Sequence, residues 1–164
     1  MLAAAPKRLR TSTALIGSLS QRGPGMPAQD PKTVIRGWVE AWNAQDLAAA
    51  EELLAAEFVR HDANLPDVVG PQAERQYIAD TLIAFPDLHF EIEQLIAESD
   101  LVAARYLVQG THRGEFFGIP GTGLPVTIQA VESYRLARGK LAEQWVVMDA
   151  LGLLQQLGAV PGPG

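Results

Sequence analysis

The chain has 164 residues, of which 48% are hydrophobic and 20% are charged, which is enough apolar sequence for one globular domain with a sizeable core. It contains no cysteine, which excludes disulfides, thiolate metal sites and a cysteine nucleophile. The formal net charge of −6 gives no support to nucleic acid or an anionic membrane as a partner. No apolar run approaches the roughly 20 residues that a membrane-spanning helix needs.

Residues 1–29 differ in composition from the rest of the chain. They are rich in small, polar and helix-breaking residues, and their charged side chains are all positive. Their one apolar stretch, TSTALIGSL, is interrupted by Thr and Ser, which disfavours a secretory signal peptide and leaves a cytoplasmic protein as the expectation. We predict a disordered extension over residues 1–29, a folded domain over residues 30–160 and a flexible tail over residues 161–164.

The first half of the folded part carries helical patterns. In DPKTVIRGWVEAWNAQD, Asp30 can cap a helix that has Pro31 in its first turn and an apolar stripe at helical spacing. Asp46 can cap a second helix over LAAAEELLAAE. A third helix is predicted from about Gln72 to Phe85, and Pro86 ends it. Between the second and third helices, FVRH is predicted as a short strand and DANLPDVVGP as a loop.

The second half changes to the alternation typical of strands. LHFEIEQLIAE alternates until its phase slips at QL, which indicates a bulge in a curved strand. LVAARYLVQGTH, PVTIQAVESYRL and LAEQWVVMD are three further strands, and ALGLLQQLG is a short terminal helix. Strands joined by short links should be antiparallel neighbours. The predicted fold is therefore α+β: a strongly curved antiparallel sheet whose concave side is closed by three N-terminal helices around a pocket.

Four segments occur in an order that resembles a known family: FVRHDAN, GTHRGEFFGIPGTG, RLARGKLAEQWVVMD and LLQQLG. Together they resemble the SnoaL-like polyketide cyclases, or ester cyclases, of the nuclear transport factor 2-like superfamily, over about residues 31–160. The resemblance implies a cone-shaped barrel, a small hydrophobic substrate and a homodimer. It also implies ring closure by intramolecular aldol condensation, with no metal, no Schiff base and no cofactor.

Asp149 is the first candidate catalytic residue, because it matches the acid/base Asp that the family carries at the end of its last strand. An apolar wall would raise its pKa towards the range that suits proton abstraction beside a carbonyl. Side chains two apart on a strand share a face, so Asp149 faces the cavity if Trp145, a candidate substrate contact, does so. The alternative is that Asp149 caps the short helix after it.

Two histidines are further catalytic candidates. His61 ends FVRH at the expected cavity mouth, where a neutral imidazole could relay a proton or polarise a carbonyl. The alternative is a surface histidine beside Asp62. His112 precedes the Gly-rich loop, which would cover the pocket and present Phe116 to the substrate. The spacing of these histidines and His89 fits no compact ligand motif, so no metal site is predicted.

Three more residues are candidate substrate contacts. Arg105 interrupts an apolar strand, so it lies either on the solvent face or inside, paired with Glu132 or with the substrate. Glu132 stands where relatives often carry His, and a pocket-facing Glu132 would place two carboxylates, Glu132 and Asp149, in one site. The alternative is a solvent-facing Glu132. Trp38 lies on the apolar stripe of the first helix.

Together with these candidate residues, the resemblance implies a small cofactor-free enzyme that binds a hydrophobic carbonyl compound and performs an aldol-type cyclisation or isomerisation. A hydrolase using the same pocket and a non-catalytic binding module are the alternatives. A carrier needs no ionisable group deep in its pocket. An Asp149 enclosed with Trp145 and a histidine would therefore favour the enzyme, and an Asp149 facing solvent would favour the binding module.

Overall fold

The computed structural model describes residues 30–162. The extension predicted over residues 1–29 and the last two residues of the predicted tail lie outside the described residues. The division of the chain into extension, domain and tail therefore stays a prediction.

Four helices form in the described part of the chain. They are Pro31–Asn43 (α1), Leu47–Glu52 (α2), Pro71–Ala84 (α3) and Ala150–Gln156 (α4). Asp30 accepts a hydrogen bond from the Lys32 N–H and Asp46 from the Ala49 N–H, which confirms both predicted N-caps. Helix α2 is shorter than predicted, because the chain enters a strand at Leu54 and that segment pairs in the sheet.

Within residues 30–162, six strands form one sheet. They are Leu54–Asp62 (β1), Val68–Val69 (β2), His89–Glu98 (β3), Leu101–Thr111 (β4), Pro125–Ala137 (β5) and Lys140–Met148 (β6). Their order is β2-β1-β6-β5-β4-β3, and β2 and β3 form two separate edges, so the sheet is open rather than a closed barrel. The α+β class is confirmed.

The sheet is mixed, whereas the sequence predicted an antiparallel one. Strand β1 runs parallel to β6, and every other neighbouring pair is antiparallel. The rule that successive strands pair holds only where short turns join them. Strand β1 pairs with the short β2 on one side, and on the other side with β6, which is the last strand in the sequence.

The strands bend where their alternation slips. The register of β3 against β4 shifts between Ile92 and Gln94, which confirms the predicted bulge. Helices α1 and α3 cover one face of the sheet, the inner face, where β5 places Ile128, Glu132 and Tyr134. The opposite face, the outer face, is solvent-exposed along most of β5.

Helix α1 is held to the sheet by its apolar stripe and by one side chain at its end. Val34, Ile35 and Trp38 are each at most 2% exposed, in agreement with the predicted stripe. The side chain of Asn43 donates to the carbonyl of Phe90 at 3.0 Å and accepts from the N–H of Phe90 at 2.8 Å. These two bonds fix the end of α1 against β3.

No helix within residues 30–162 combines the length and the apolar character that crossing a membrane requires.

We expect Asn43→Ala to lower the free energy of unfolding by about 2 kcal/mol, because the partly buried N–H and C=O of Phe90 both lose their partner. Urea unfolding followed by circular dichroism measures this change. The exposed Asn64→Ala is the control, and it should shift stability by less than about 0.5 kcal/mol. Equal stability of both variants would show that the Asn43 bonds contribute nothing.

Candidate functional site

A cavity lies between the inner face of the sheet and helices α1 and α3. Its walls are largely apolar, and its polar lining residues are Arg60, Tyr77, Thr81, Glu132 and Gln144. The apolar lining residues are Trp38, Val39, Trp42, Phe85, Leu88, Phe90, Val108, Phe116, Val126, Ile128, Ala130, Val146, Met148 and Leu153. A concave apolar site with a few polar groups at one place is the usual form of a small-molecule site.

Three predicted substrate contacts line this cavity: Trp38, Phe116 and Glu132. Phe116 packs edge-on against Phe85, with their ring centroids 5.1 Å apart. The structure thus brings the Gly-rich loop to the cavity through Phe116. The substrate contacts themselves stay predictions.

The alternation of β6 turns Trp145 away from the cavity. Gln144, Val146 and Met148 line the cavity, so the residues between them point to the outer face. Trp145 is 37% exposed and stacks on His61, with ring centroids 5.5 Å apart. The expectation that Trp145 faces the cavity is corrected, because strand parity places Gln144 there instead.

Asp149 follows the same parity as Trp145 and lies exposed at the end of β6. Its Oδ1 accepts a hydrogen bond of 2.8 Å from the Gly152 N–H, so it caps helix α4. This is the alternative that the sequence left open for Asp149. The catalytic assignment of Asp149 stays a prediction, and the geometry does not bring this carboxyl to the cavity.

His61 also lies outside the cavity, on the outer side of β1. Its Nδ1 is 2.9 Å from an Asp67 carboxyl oxygen, and its Nε2 is 3.7 Å from Glu143. The ring is held between these carboxylates and Trp145, with its side chain 33% exposed. The structure therefore places His61 at the surface, as the alternative for this residue proposed.

His112 is fully buried but separated from the cavity by Phe85. Its ring stacks on the Phe85 ring at a centroid distance of 5.2 Å. The Thr122 N–H donates to Nδ1 at 3.3 Å. His112 thus fastens the Gly-rich loop to the end of β4.

Arg105 lies on the outer face, which is the solvent-facing alternative of the two that the sequence left open, and it does not pair with Glu132. Its side chain is 48% exposed, and its Nε is 3.3 Å from Glu93. The neighbouring Ala104 and Tyr106 are the buried positions of β4. Arg105 therefore occupies a solvent-facing position by strand alternation.

Glu132 is the carboxyl group that the inner face presents to the cavity. Its Oε2 accepts hydrogen bonds from the Tyr134 hydroxyl and, at 2.8 Å, from Gln144 Nε2. The Tyr134 hydroxyl is also 2.9 Å from the Tyr106 hydroxyl. Both bonds to Glu132 end on Oε2, so neither occupies Oε1. Burial raises the pKa of Glu132, although the bonds from Tyr134 and Gln144 and the charge of Arg60 oppose the rise.

Arg60 lies beside this carboxyl and is 6% exposed. Its Nη2 is 3.2 Å from an Asp62 carboxyl oxygen, and its guanidinium carbon is 3.8 Å from the centroid of the Tyr77 ring. Nε and Nη1 are buried and have no hydrogen-bond partner among residues 30–162. Arg60 therefore keeps a fixed cation with unused N–H groups at the polar end of the cavity.

Glu74 is a second buried carboxyl close to this group. It is 0% exposed, and neither of its carboxyl oxygens has a hydrogen-bond partner in the described part of the chain. Burial raises its pKa from 4.5 to about 7; the charge of Arg60 opposes the rise and that of Glu132 adds to it. Glu132 lines the cavity and Glu74 does not, so the pair of pocket carboxylates expected from the sequence, Glu132 and Asp149, is not brought together in the structure.

Sequence reasoning missed Arg60, Gln144 and Glu74. The signal was present in the spacing. Arg60 stands two positions after the buried Phe58 in β1, and Glu74 stands four positions before the buried Ile78 in α3. Gln144 could be predicted only if Gln144, Val146 and Met148, rather than Trp145 and Val147, were assumed to face the cavity. The nearly continuous apolar run of β6 does not show which of these two sets faces inward.

The chain matches the SnoaL-like polyketide cyclase family over residues 32–157. It belongs to this family. Family membership, predicted from four ordered segments, is confirmed.

Relatives within and around the family are similar over most of their length. Aklanonic acid methyl ester cyclase DnrD from Streptomyces peucetius is 27% identical over 128 residues, which cover 76% of this chain and 88% of that protein. AclR, a proposed hydroxylase from Streptomyces galilaeus, superposes with a TM-score of 0.74 at 33% identity, covering 84% of this chain and 87% of AclR. IdmH, a proposed polyketide cyclase from Streptomyces antibioticus, gives a TM-score of 0.68 at 32% identity, covering 78% and 98% of the two chains.

We expect Glu74→Gln to remove part of the pH dependence of stability. The pKa of Glu74 in the folded protein is raised from 4.5 to about 7, so the folded state favours the protonated carboxyl. The stability that the protonated Glu74 contributes is fully present below pH 4.5 and is lost as the pH rises through about 7. The variant should match the wild type near about pH 4 and exceed it by roughly 3 kcal/mol at about pH 8.

Urea unfolding over this pH range measures the effect. The matched control is Glu52→Gln on the exposed side of α2, which should keep the wild-type pH dependence. If Glu74→Gln also kept it, the buried carboxyl would not be the group that titrates.

Proposed function

We propose that this chain is an acid–base enzyme that acts on a small hydrophobic carbonyl compound bound in the inner-face cavity, with Glu132 as the proton-transferring group. The observation that carries this proposal is the buried Glu132 carboxyl at the polar end of an apolar cavity, with Oε1 left free by its internal hydrogen bonds. A carrier has no need for such a group, whereas proton abstraction beside a carbonyl requires one.

The proposed reaction is an intramolecular aldol addition. Glu132 removes a proton from the carbon next to a carbonyl, and the resulting enolate carbon forms a bond to a second carbonyl carbon of the same molecule. The alkoxide formed at that second carbonyl takes the proton back from Glu132. The C–H bond lost is balanced by the O–H bond gained, so the step needs neither oxidant nor reductant.

Arg60 supports this reaction by its charge. Negative charge develops first on the enolate oxygen and then on the alkoxide, and a fixed cation beside Glu132 would stabilise both. The apolar walls strengthen that interaction by excluding water. The raised pKa of Glu132 makes its carboxylate a stronger base than an exposed glutamate, which suits a group that must take up a proton and give it back.

The substrate class is proposed from the relatives. DnrD is named as a cyclase of aklanonic acid methyl ester, and this chain aligns with most of that protein. The cavity lined by Trp38, Trp42 and Phe90 would suit a similar aromatic polyketide-type ester. Cofactor-free chemistry is part of the proposal, since aldol addition needs only the proton transfer and charge stabilisation assigned above.

Glu132 replaces Asp149 in the role that the sequence suggested. An exposed Asp149 taken alone favours a binding module. What distinguishes an enzyme from a carrier, however, is an ionisable group deep in the pocket, and Glu132 is such a group whereas Asp149 is not. Asp149 lies at the helix end instead.

We also propose a homodimer formed through the outer face. On this face Val131 lies directly opposite Val147, and they are 53% and 59% exposed. Trp145 extends the same apolar surface. A cytoplasmic location stays a prediction.

We expect Glu132→Gln to lower kcat on aklanonic acid methyl ester by about 100-fold or more, the usual contribution of a general acid–base group. Asp149→Asn is the matched control. It should keep activity within about threefold, because Asn caps a helix as well as Asp does. Liquid chromatography with mass detection follows the reaction.

The product mass distinguishes the alternatives. Aldol cyclisation leaves the mass of the compound unchanged. Ester hydrolysis releases methanol and leaves an acid of lower mass, which would identify a hydrolase. Binding of the ester without any conversion by the wild type would identify a binding module. Loss of activity in Asp149→Asn with an active Glu132→Gln would return the catalytic role to Asp149.

A further inference from the structure

Two polar side chains at the polar end of the cavity keep atoms that have no hydrogen-bond partner within residues 30–162. Gln144 Oε1 and the Arg60 nitrogens Nε and Nη1 are buried without a hydrogen-bond partner in that part of the chain. Both side chains line the cavity, and they are 3% and 6% exposed. Buried polar groups in folded proteins are paired in the great majority of cases, so these groups need a partner inside the cavity, which is either water or a polar group of a ligand.

The chemistry of Gln144 is fixed by its neighbour. Its Nε2 donates to Glu132 at 2.8 Å, which orients the amide and leaves Oε1 as an acceptor. An acceptor is satisfied only by a donor, such as a hydroxyl group of a ligand. Arg60 has the opposite requirement, because a guanidinium donates only and its free N–H groups need an acceptor oxygen.

The two groups are direct neighbours across strands. Arg60 of β1 and Gln144 of β6 are register partners, so their inward-pointing side chains start about 5 Å apart. Arg60 is held in place by Asp62 and by the Tyr77 ring, and Gln144 by Glu132. A ligand that satisfies both must carry its acceptor and its donor oxygen within a few ångströms of each other.

We propose that Arg60 and Gln144 form a subsite for a hydroxy-carbonyl compound, in which a carbonyl oxygen accepts from Arg60 and a hydroxyl on the same or the next carbon donates to Gln144. Gln144 is then the specificity-determining residue for the hydroxyl group. This assignment rests on the proposed function only for the identity of the reacting carbonyl. It adds a requirement that aldol chemistry alone does not impose, namely the hydroxyl donor beside the carbonyl.

The test compares ligands that differ in that donor alone. Methyl 2-hydroxy-2-(naphthalen-2-yl)acetate carries the hydroxyl on the carbon next to the ester carbonyl, its methyl ether loses the donor, and methyl naphthalen-2-ylacetate lacks that oxygen. Binding to the full-length wild type is measured by isothermal titration calorimetry. The hydroxy ester should bind about tenfold more tightly than either analogue, which is the effect of one hydrogen bond to a buried acceptor. Equal affinities, or no binding of any of the three, would overturn the proposal.

Two variants locate the effect. Gln144→Met should bring the hydroxy-to-methoxy affinity ratio close to one, whereas Arg60→Lys should weaken all three esters alike because each carries the carbonyl. A ratio that persists in Gln144→Met would show that Gln144 only positions Glu132. The wild-type ratio needs no variant, so the test holds even if a variant fails to fold.

These outcomes are separate from those of the proposed function. Affinities are measured without turnover, so the hydroxyl preference can hold in a chain that converts nothing. Conversely, the protein could catalyse a Glu132-dependent cyclisation and still bind all three esters equally, in which case the proposed function would stand and the hydroxyl subsite would not.

Discussion

The inner face buries a row of polar side chains, and the form of the site depends on how their charges are compensated. Arg60, Gln144 and Tyr134 are neighbours across β1, β6 and β5, and Glu132 lies one inward position along β5 from Tyr134. Burying a charge without a partner is strongly unfavourable. Here Asp62 pairs with Arg60, and two neutral donors bond to a single oxygen of Glu132. The compensation is partial, and the groups that remain unpaired converge on the cavity.

This partial compensation links stability to reactivity. Burial raises the pKa of both Glu132 and Glu74, which makes their ionised forms costly to the fold. For Glu132, which faces the cavity, the same burial makes the carboxylate a stronger base. The buried tyrosines behind Glu132 keep their protons, since burial raises the pKa of Tyr134 and Tyr106 as well. Tyr134 can therefore stabilise the Glu132 carboxylate as a donor, and neither tyrosine competes with Glu132 as a base. A site that strains the fold in this way is typical of catalytic centres.

Much of the fold could be predicted because its signals are local. The caps at Asp30 and Asp46 and the bulge of β3 follow from a few neighbouring residues. The facing of β6 could not be predicted, because its run of apolar residues carries no alternation. Shifting the facing of a strand by one residue moves every side chain to the other face. Predicting Trp145 as an inward residue therefore also predicted Asp149 as inward, whereas Gln144 is the residue that lines the cavity. The parallel pairing of β1 with β6 joins distant segments, and no local pattern encodes it.

The central claim is that the Glu132 carboxyl is desolvated at the cavity and poised for proton transfer. Carbon-13 NMR titration of its carboxyl carbon tests this most directly, with the signal assigned by its loss in Glu132→Gln. We expect a midpoint above the roughly 4.3 of an unperturbed glutamate, and we expect this midpoint to move when an aromatic ester occupies the cavity. A midpoint at or below that ordinary value, unchanged by the ester, would contradict the account, because it would describe a solvated carboxylate apart from the ligand.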